Sequence, residues 1–65
     1  MKNKIKSLRE LCDITQQQLA DSVEVSRQTI ISLENGRYNP SIFLAYRISK
    51  VFEKSIEEVF VFEEE

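Results

Sequence analysis

Sixty-five residues with one glycine, one proline, one cysteine and no histidine make one small domain at most, spanning residues 1–65. A lone Cys12 excludes an internal disulfide, and without histidine the usual zinc ligand sets are missing. The net charge of −2 is unevenly spread: residues 1–50 hold eight Lys/Arg against five acids, and residues 51–65 one lysine against six acids.

A domain this small buries a limited share of its surface, so good helix packing or a partner subunit is expected to complete its stability. The opening MKNKIKS lacks the apolar stretch of a secretion signal. No run approaches the ~20 apolar residues of a membrane span. An unpaired cysteine suits the reducing cytoplasm, which is the expected compartment. Enzymatic chemistry has little to stand on: there is no Ser/His or Cys/His pair and no glycine-rich phosphate loop. Glu57 and Glu58 are neighbours on a helix and diverge, so they form no acid–base couple. No cofactor is expected.

Taken in chain order, apolar spacing predicts an all-α fold of five helices. Ile5, Leu8 and Cys12 share one face of a first helix over roughly 3–12, with Cys12 read as a small core residue. Thr15 opens a second helix, and Gln18 three residues on completes a capping box. Leu19, Ala20 and Val23 are its buried face. Ser26 caps a third helix, from which Ile30 and Leu33 point inward, and Gly36 ends it. Asn39-Pro40 turns the chain, and Ser41 starts a fourth helix that buries Leu44 or Ala45, Ile48 and Phe52. Ser55 and Glu58 form a second capping box for a short fifth helix near 56–60. Val59 to Phe62 fits either a helix end or a short C-terminal strand.

The informative stretch is 15–36, TQQQLADSVEVSRQTIISLENG. It predicts two short helices crossing steeply over the small Ala20. Their outer surface carries Gln16, Gln17, Arg27, Gln28, Thr29 and Ser32. Arginine suits guanine edges, glutamine adenine edges, and Ser or Thr either a base or a phosphate.

Four fragments, in order and spacing, carry a family resemblance: Thr15-Gln16-x-x-Leu19-Ala20, Val25-Ser26-Arg27-Gln28-Thr29-Ile30, Leu33-Glu34-Asn35-Gly36 and Asn39-Pro40-Ser41. Over about residues 3–60 the chain resembles the lambda-repressor/Cro-like helix-turn-helix proteins, also called the xenobiotic-response-element family, and among them the short stand-alone bacterial and phage regulators. The resemblance implies a compact five-helix DNA-binding domain with the helix-turn-helix at its second and third helices. It implies a transcription regulator, by family habit a repressor, with double-stranded DNA as partner and the third helix in the major groove. Carried over by position, Arg27, Gln28 and Ser32 face bases. Gln16 binds phosphate and braces the first recognition residue. Gln17, Ser26, Arg37, Tyr38 and Asn39 hold the backbone, and Thr29 and Asn35 join the same DNA-binding set. Arg9 and Glu34 match a buried structural ion pair between the first and third helices.

The chain departs from the family at three positions. Glu24, in the turn between the two helices, and Asp13, after the first helix, stand where glycine is common. Ile31 stands where a small or polar residue is common, and it is either a contact for a thymine methyl or a plain exposed residue. Tyr38 is read as a phosphate donor or as a packing lid. Arg47 either reaches phosphate or belongs to a solvated face, and Lys2, Lys4 and Lys6 either add positive charge that suits counterion release or play no part.

One recognition helix reads few base pairs, so a homodimer on a palindrome is expected, with half-sites about one helical turn apart. Ile56, Val59, Phe60, Val61 and Phe62 are the expected dimer interface, with 59–65 as dimerisation segment and acidic tail. The competing reading is that these residues close the core. An alternative function keeps the fold but makes it a protein-interaction module of antitoxin or antirepressor type, binding a protein partner through the acidic tail. The Arg-Gln-Thr surface of the third helix, together with Gln16, speaks for DNA.

Overall fold

Hydroxyl side chains set four of the five helix starts. In the computed structural model, which describes residues 1–62, the helices are α1 (Ile5–Leu11), α2 (Gln16–Ser22), α3 (Arg27–Glu34), α4 (Ile42–Val51) and α5 (Ile56–Val59). Thr15, Ser26, Ser41 and Ser55 each accept the backbone N–H three residues on, satisfying a donor that the helix leaves orphaned. Gln18 Oε1 accepts the Thr15 N–H at 2.8 Å and Glu58 Oε1 the Ser55 N–H at 2.9 Å, so both expected capping boxes close. At the start of α1, Asn3 does this work from just outside the helix. Its Oδ1 accepts the Ile5 N–H at 3.1 Å, while its Nδ2 donates to the Leu33 carbonyl at 2.7 Å, tying the start of α1 to the end of α3.

The helix ends share one device. Asp13, Glu24, Gly36 and Glu53 follow α1, α2, α3 and α4, and all have positive φ, 58°, 59°, 73° and 55°. The next residue then bonds back five positions: Ile14 to Arg9, Val25 to Ala20, Arg37 to Ser32 and Lys54 to Ser49, each N–H···O=C at 3.0 Å. This is the Schellman ending, which satisfies late carbonyls at the cost of a left-handed residue. The tight turn of the helix-turn-helix is therefore present at Glu24 despite the missing glycine.

The core collects Ile5, Leu8, Leu19, Ala20, Val23, Ile30, Leu33, Ile48 and Phe52, and both Leu44 and Ala45, which had been alternatives. Ser49, a polar residue inside this core, donates its hydroxyl to the Ala45 carbonyl at 2.8 Å and so remains satisfied. Cys12 is a correction: it is exposed. Helix α1 ends before it, and the reversal at Asp13 brings Ile14 against the core instead.

The C-terminal expectation is corrected in part. Val59 and Phe60 are fully buried in the core of their own chain, so neither offers a surface to a second copy. The described residues contain no strand; Phe60 is extended and makes a single antiparallel bridge to Asn3. Lys4 N–H donates to the Val59 carbonyl at 2.8 Å and Val61 N–H to the Lys2 carbonyl at 2.9 Å. These bonds hold the chain end against the segment before α1. Val61 and Ile56 are half-buried and Phe62 is exposed. The rest of the acidic tail, Glu63 to Glu65, lies outside the described residues.

Two predictions follow from these helix ends. A non-glycine residue held left-handed costs roughly 1–2 kcal/mol. The side chain of Glu24 offsets little of this, since its ion pair to Arg47 at 3.8 Å is exposed. Glu24→Gly is therefore expected to stabilise the domain by about 1 kcal/mol, read as a rise in melting temperature of about 4–8 °C. Glu58 accepts backbone and hydroxyl hydrogen bonds from Ser55, which hold its carboxyl below the ordinary 4.5. Because the folded value is the depressed one, the contribution is whole above 4.5 and is lost as pH falls through the lower folded value. In acid titrations followed by thermal melting, Glu58→Gln should flatten that part of the stability profile.

Candidate nucleic-acid interface

Burial decides what α3 displays. Ile30 and Leu33 are buried, which turns Arg27 and Gln28 to solvent and leaves Thr29, Ile31 and Ser32 half-buried along the flank. The Ser26 hydroxyl receives the Thr29 N–H at 3.2 Å and lies 3.0 Å from Thr29 Oγ1. Both hydroxyls thus build the start of α3 as well as standing beside its exposed residues. Arg27 and Gln28 are the first two residues of the helix, held at a defined angle by that cap.

On α2, Gln17 is exposed and donates its amide to Asp21 at 2.9 Å, a bond within one helical turn. Beyond α3, Asn35, Arg37, Tyr38 and Asn39 are all exposed. Tyr38 is 45% exposed. Ile31 is half-buried, neither fully displayed nor in the core.

Beneath this surface sits a polar network. Glu34, the last residue of α3, receives Arg9 Nε on Oε2 at 2.8 Å and Arg9 Nη2 on Oε1 at 3.4 Å. The two side chains are 13% and 5% exposed. Arg9 Nη1 donates to the Ile14 carbonyl at 3.1 Å. The hydrogen bond to Glu34 raises the already high pKa of Arg9, so the guanidinium stays charged. The ion pair expected between the first and third helices is present. Gln16, expected to face phosphate, also belongs to this network: its Nε2 donates to Glu34 Oε1 at 3.0 Å. An open groove of about 740 Å³ borders the network, and Arg9, Asp13, Gln16, Gln17 and Arg27 are among its walls.

Sequence reasoning missed Asn3, whose link from α1 to α3 rests on a fold contact that no local pattern signals. It also missed the apolar surface of α4, where Ile42, Phe43 and Tyr46 are 69%, 76% and 55% exposed. The spacing i, i+1, i+4 held that signal. Among the described residues no helix is long and apolar enough to cross a membrane, and no group of His, Cys, Asp or Glu is placed to hold a metal.

A capped helix with Arg and Gln at its exposed start, set across a second short helix by a tight turn, is a helix-turn-helix. Residues 5–59 match the helix-turn-helix family. The chain belongs to that family. It is 49% identical over 65 residues to an HTH-type transcriptional regulator of Archaeoglobus fulgidus, covering all of this chain and 92% of that protein. It is 49% identical to one of Methanocaldococcus jannaschii, covering all of this chain and 98% of that one. Identity to YgzD, an HTH-type transcriptional regulator of Bacillus subtilis, is 46%, again over all of this chain and 98% of the relative. The fold is similar to that of a transcriptional regulator from Listeria innocua, with a TM-score of 0.82 at 20% identity, over all of this chain and 64% of that one. The helix-turn-helix protein is thus a lambda-repressor/Cro-like, DNA-binding transcriptional regulator.

Removing Glu34 would leave the Arg9 guanidinium largely buried without a counter-charge. Glu34→Ala is therefore expected to destabilise the domain by about 3–5 kcal/mol in denaturant titrations. A loss below about 1 kcal/mol would show that the pair behaves as an exposed one.

Proposed function

We propose that this helix-turn-helix protein binds a palindromic operator as a homodimer, with α3 in the major groove, and acts as a repressor in the cytoplasm at the nucleoid. The observation that carries the reading is the pair Arg27 and Gln28, solvent-exposed at the capped start of α3, with Ser32 one turn beyond Gln28. Arg27 takes guanine O6 and N7 through two donors, and Gln28 takes adenine N6 and N7. Ser32 and Thr29 border the same edge. Ser26, Gln17, Asn35, Arg37, Tyr38 and Asn39 flank α3 and supply donors for phosphate, which set register without reading sequence. The repressor assignment follows the habit of short members of the family.

One helix start spans only a few base pairs, which favours two copies on a two-fold operator. Ile56, Val61 and Phe62 keep exposed surface for that pairing, and the exposed apolar residues of α4 add to it. Charge agrees with the orientation: the six acids of residues 51–65 belong to the end of the chain away from the 15–39 surface in sequence, where they avoid weakening phosphate binding.

The test is selection of a random double-stranded DNA pool by the purified protein at ~150 mM salt. An enriched pseudo-palindrome with half-sites about 10 base pairs apart is expected. Gln28→Ala should then relax one position of each half-site, costing roughly 1–3 kcal/mol of discrimination there. No enrichment from folded protein would overturn the reading and favour a protein-interaction module working through its acidic end.

A further inference from the structure

Helix α3 carries three apolar residues, and two of them, Ile30 and Leu33, are buried in the core. The third, Ile31, is half-buried. Among the described residues the half-buried apolar side chains packed against the core are Ile14, Val25 and Ile56, and Ile31 is not with them. Helix periodicity gives its direction instead. At about 3.6 residues per turn, Ile31 stands one turn beyond Arg27 and Ser32 one turn beyond Gln28. With Ile30 and Leu33 inward, Gln28 marks the middle of the outward side, and Ile31 and Ser32 flank it.

A polar side chain at that place would need a matching donor or acceptor on a base edge. An isoleucine needs only another apolar group, and the major groove offers one, the C5 methyl of thymine. Isoleucine is also stiff: its branched Cβ leaves one strongly preferred χ1 in a helix. Its methyl groups are therefore presented at a fixed place, with little rotamer freedom left to lose. The helix that carries them is itself fixed, by the Ser26 cap at its start and the Arg9–Glu34 pair at its end.

We propose that Ile31 is a specificity-determining residue that reads the C5 methyl of a thymine in each half-site, beside the base pair met by Gln28. The contact takes water from between two apolar groups and makes no hydrogen bond. It disfavours cytosine, which lacks the methyl and presents an amino donor that Ile31 leaves unpaired. The inference rests on the proposed reading of DNA by α3.

The operator is first obtained by selection from the random pool. Each thymine of one half-site, on either strand, is then replaced in turn by deoxyuridine, which removes the methyl and keeps the base pair. Affinity for each version is measured by fluorescence anisotropy for the wild type, Ile31→Val and Ile31→Ser, with thermal melting as the check on folding.

One position is expected at which deoxyuridine weakens the wild type about fourfold, the effect of one methyl group taken out of water. Ile31→Val keeps most of that loss, and Ile31→Ser binds both versions equally. A loss of the same size in the wild type and in Ile31→Ser overturns the proposal, because the methyl then acts through DNA shape or through another residue. An operator at which no deoxyuridine weakens the wild type overturns it too, and leaves the reading by Arg27 and Gln28 standing. A wild-type protein that enriches no sequence overturns the DNA reading itself, and this inference with it.

Discussion

A single carboxylate, that of Glu34, organises the polar side of this domain. Its two oxygens receive three hydrogen bonds from Arg9 and Gln16, and Arg9 passes a fourth to the Ile14 carbonyl. Four segments meet at this point: α1, the turn after it, the start of α2 and the end of α3. Apolar packing alone fixes how far apart helices lie, but it tolerates sliding and rotation. A charged fork matched to a carboxylate tolerates little of either. Charges this buried add little net stability over an apolar core of equal volume. The arrangement gains definition: the angle at which α3 is presented is set by directional bonds at its C-terminal end and by the Ser26 cap at its N-terminal end.

The same end of α3 is tied to the chain start by Asn3, which bonds the Leu33 carbonyl. That residue also bridges to Phe60, and the Val59 carbonyl takes the Lys4 N–H. The first and last described segments thus brace each other and α3 together. This explains why Val59 and Phe60 are spent inside the monomer. A 65-residue chain buries a limited share of its surface, and Val59 and Phe60 add two large apolar side chains to its core.

The legible part of the fold was the part written locally. Hydroxyl caps, the two capping boxes and the helix-turn-helix spacing are patterns of three to twenty residues, and each appears where the sequence places it. The Arg9–Glu34 pair was legible only through the family resemblance, since no local rule connects residues 25 apart. Three features were not legible. Cys12 sits at a helical repeat of Ile5 and Leu8, but the left-handed turn at Asp13 ends the helix before that repeat applies. Val59 and Phe60 read as surplus apolar residues, because their partners before α1 are more than fifty residues away in sequence. Asn3 left no local signal, because its partner, the Leu33 carbonyl, is thirty residues away in sequence.

The left-handed endings show how the domain divides strength from specificity. Four helices end in the same way, yet only one of the four residues is glycine. Three side chains therefore carry a conformational cost that together is a large share of the stability of a domain this small. Each ending reverses the chain within two residues; those after α1 and α2 bring Ile14 and Val25 against the core, and that after α4 leads into the Ser55 cap of α5. Without such reversals, helices of seven and eight residues could not cross closely enough to bury Ala20 and Ile30 together. The recognition surface inherits its geometry from these turns. With few cations on that surface, its affinity for phosphate alone is modest. On the proposed reading, discrimination then comes from side chains held at fixed angles, which is what a cramped, strained and polar-locked frame supplies and what a looser, more stable helical bundle would not.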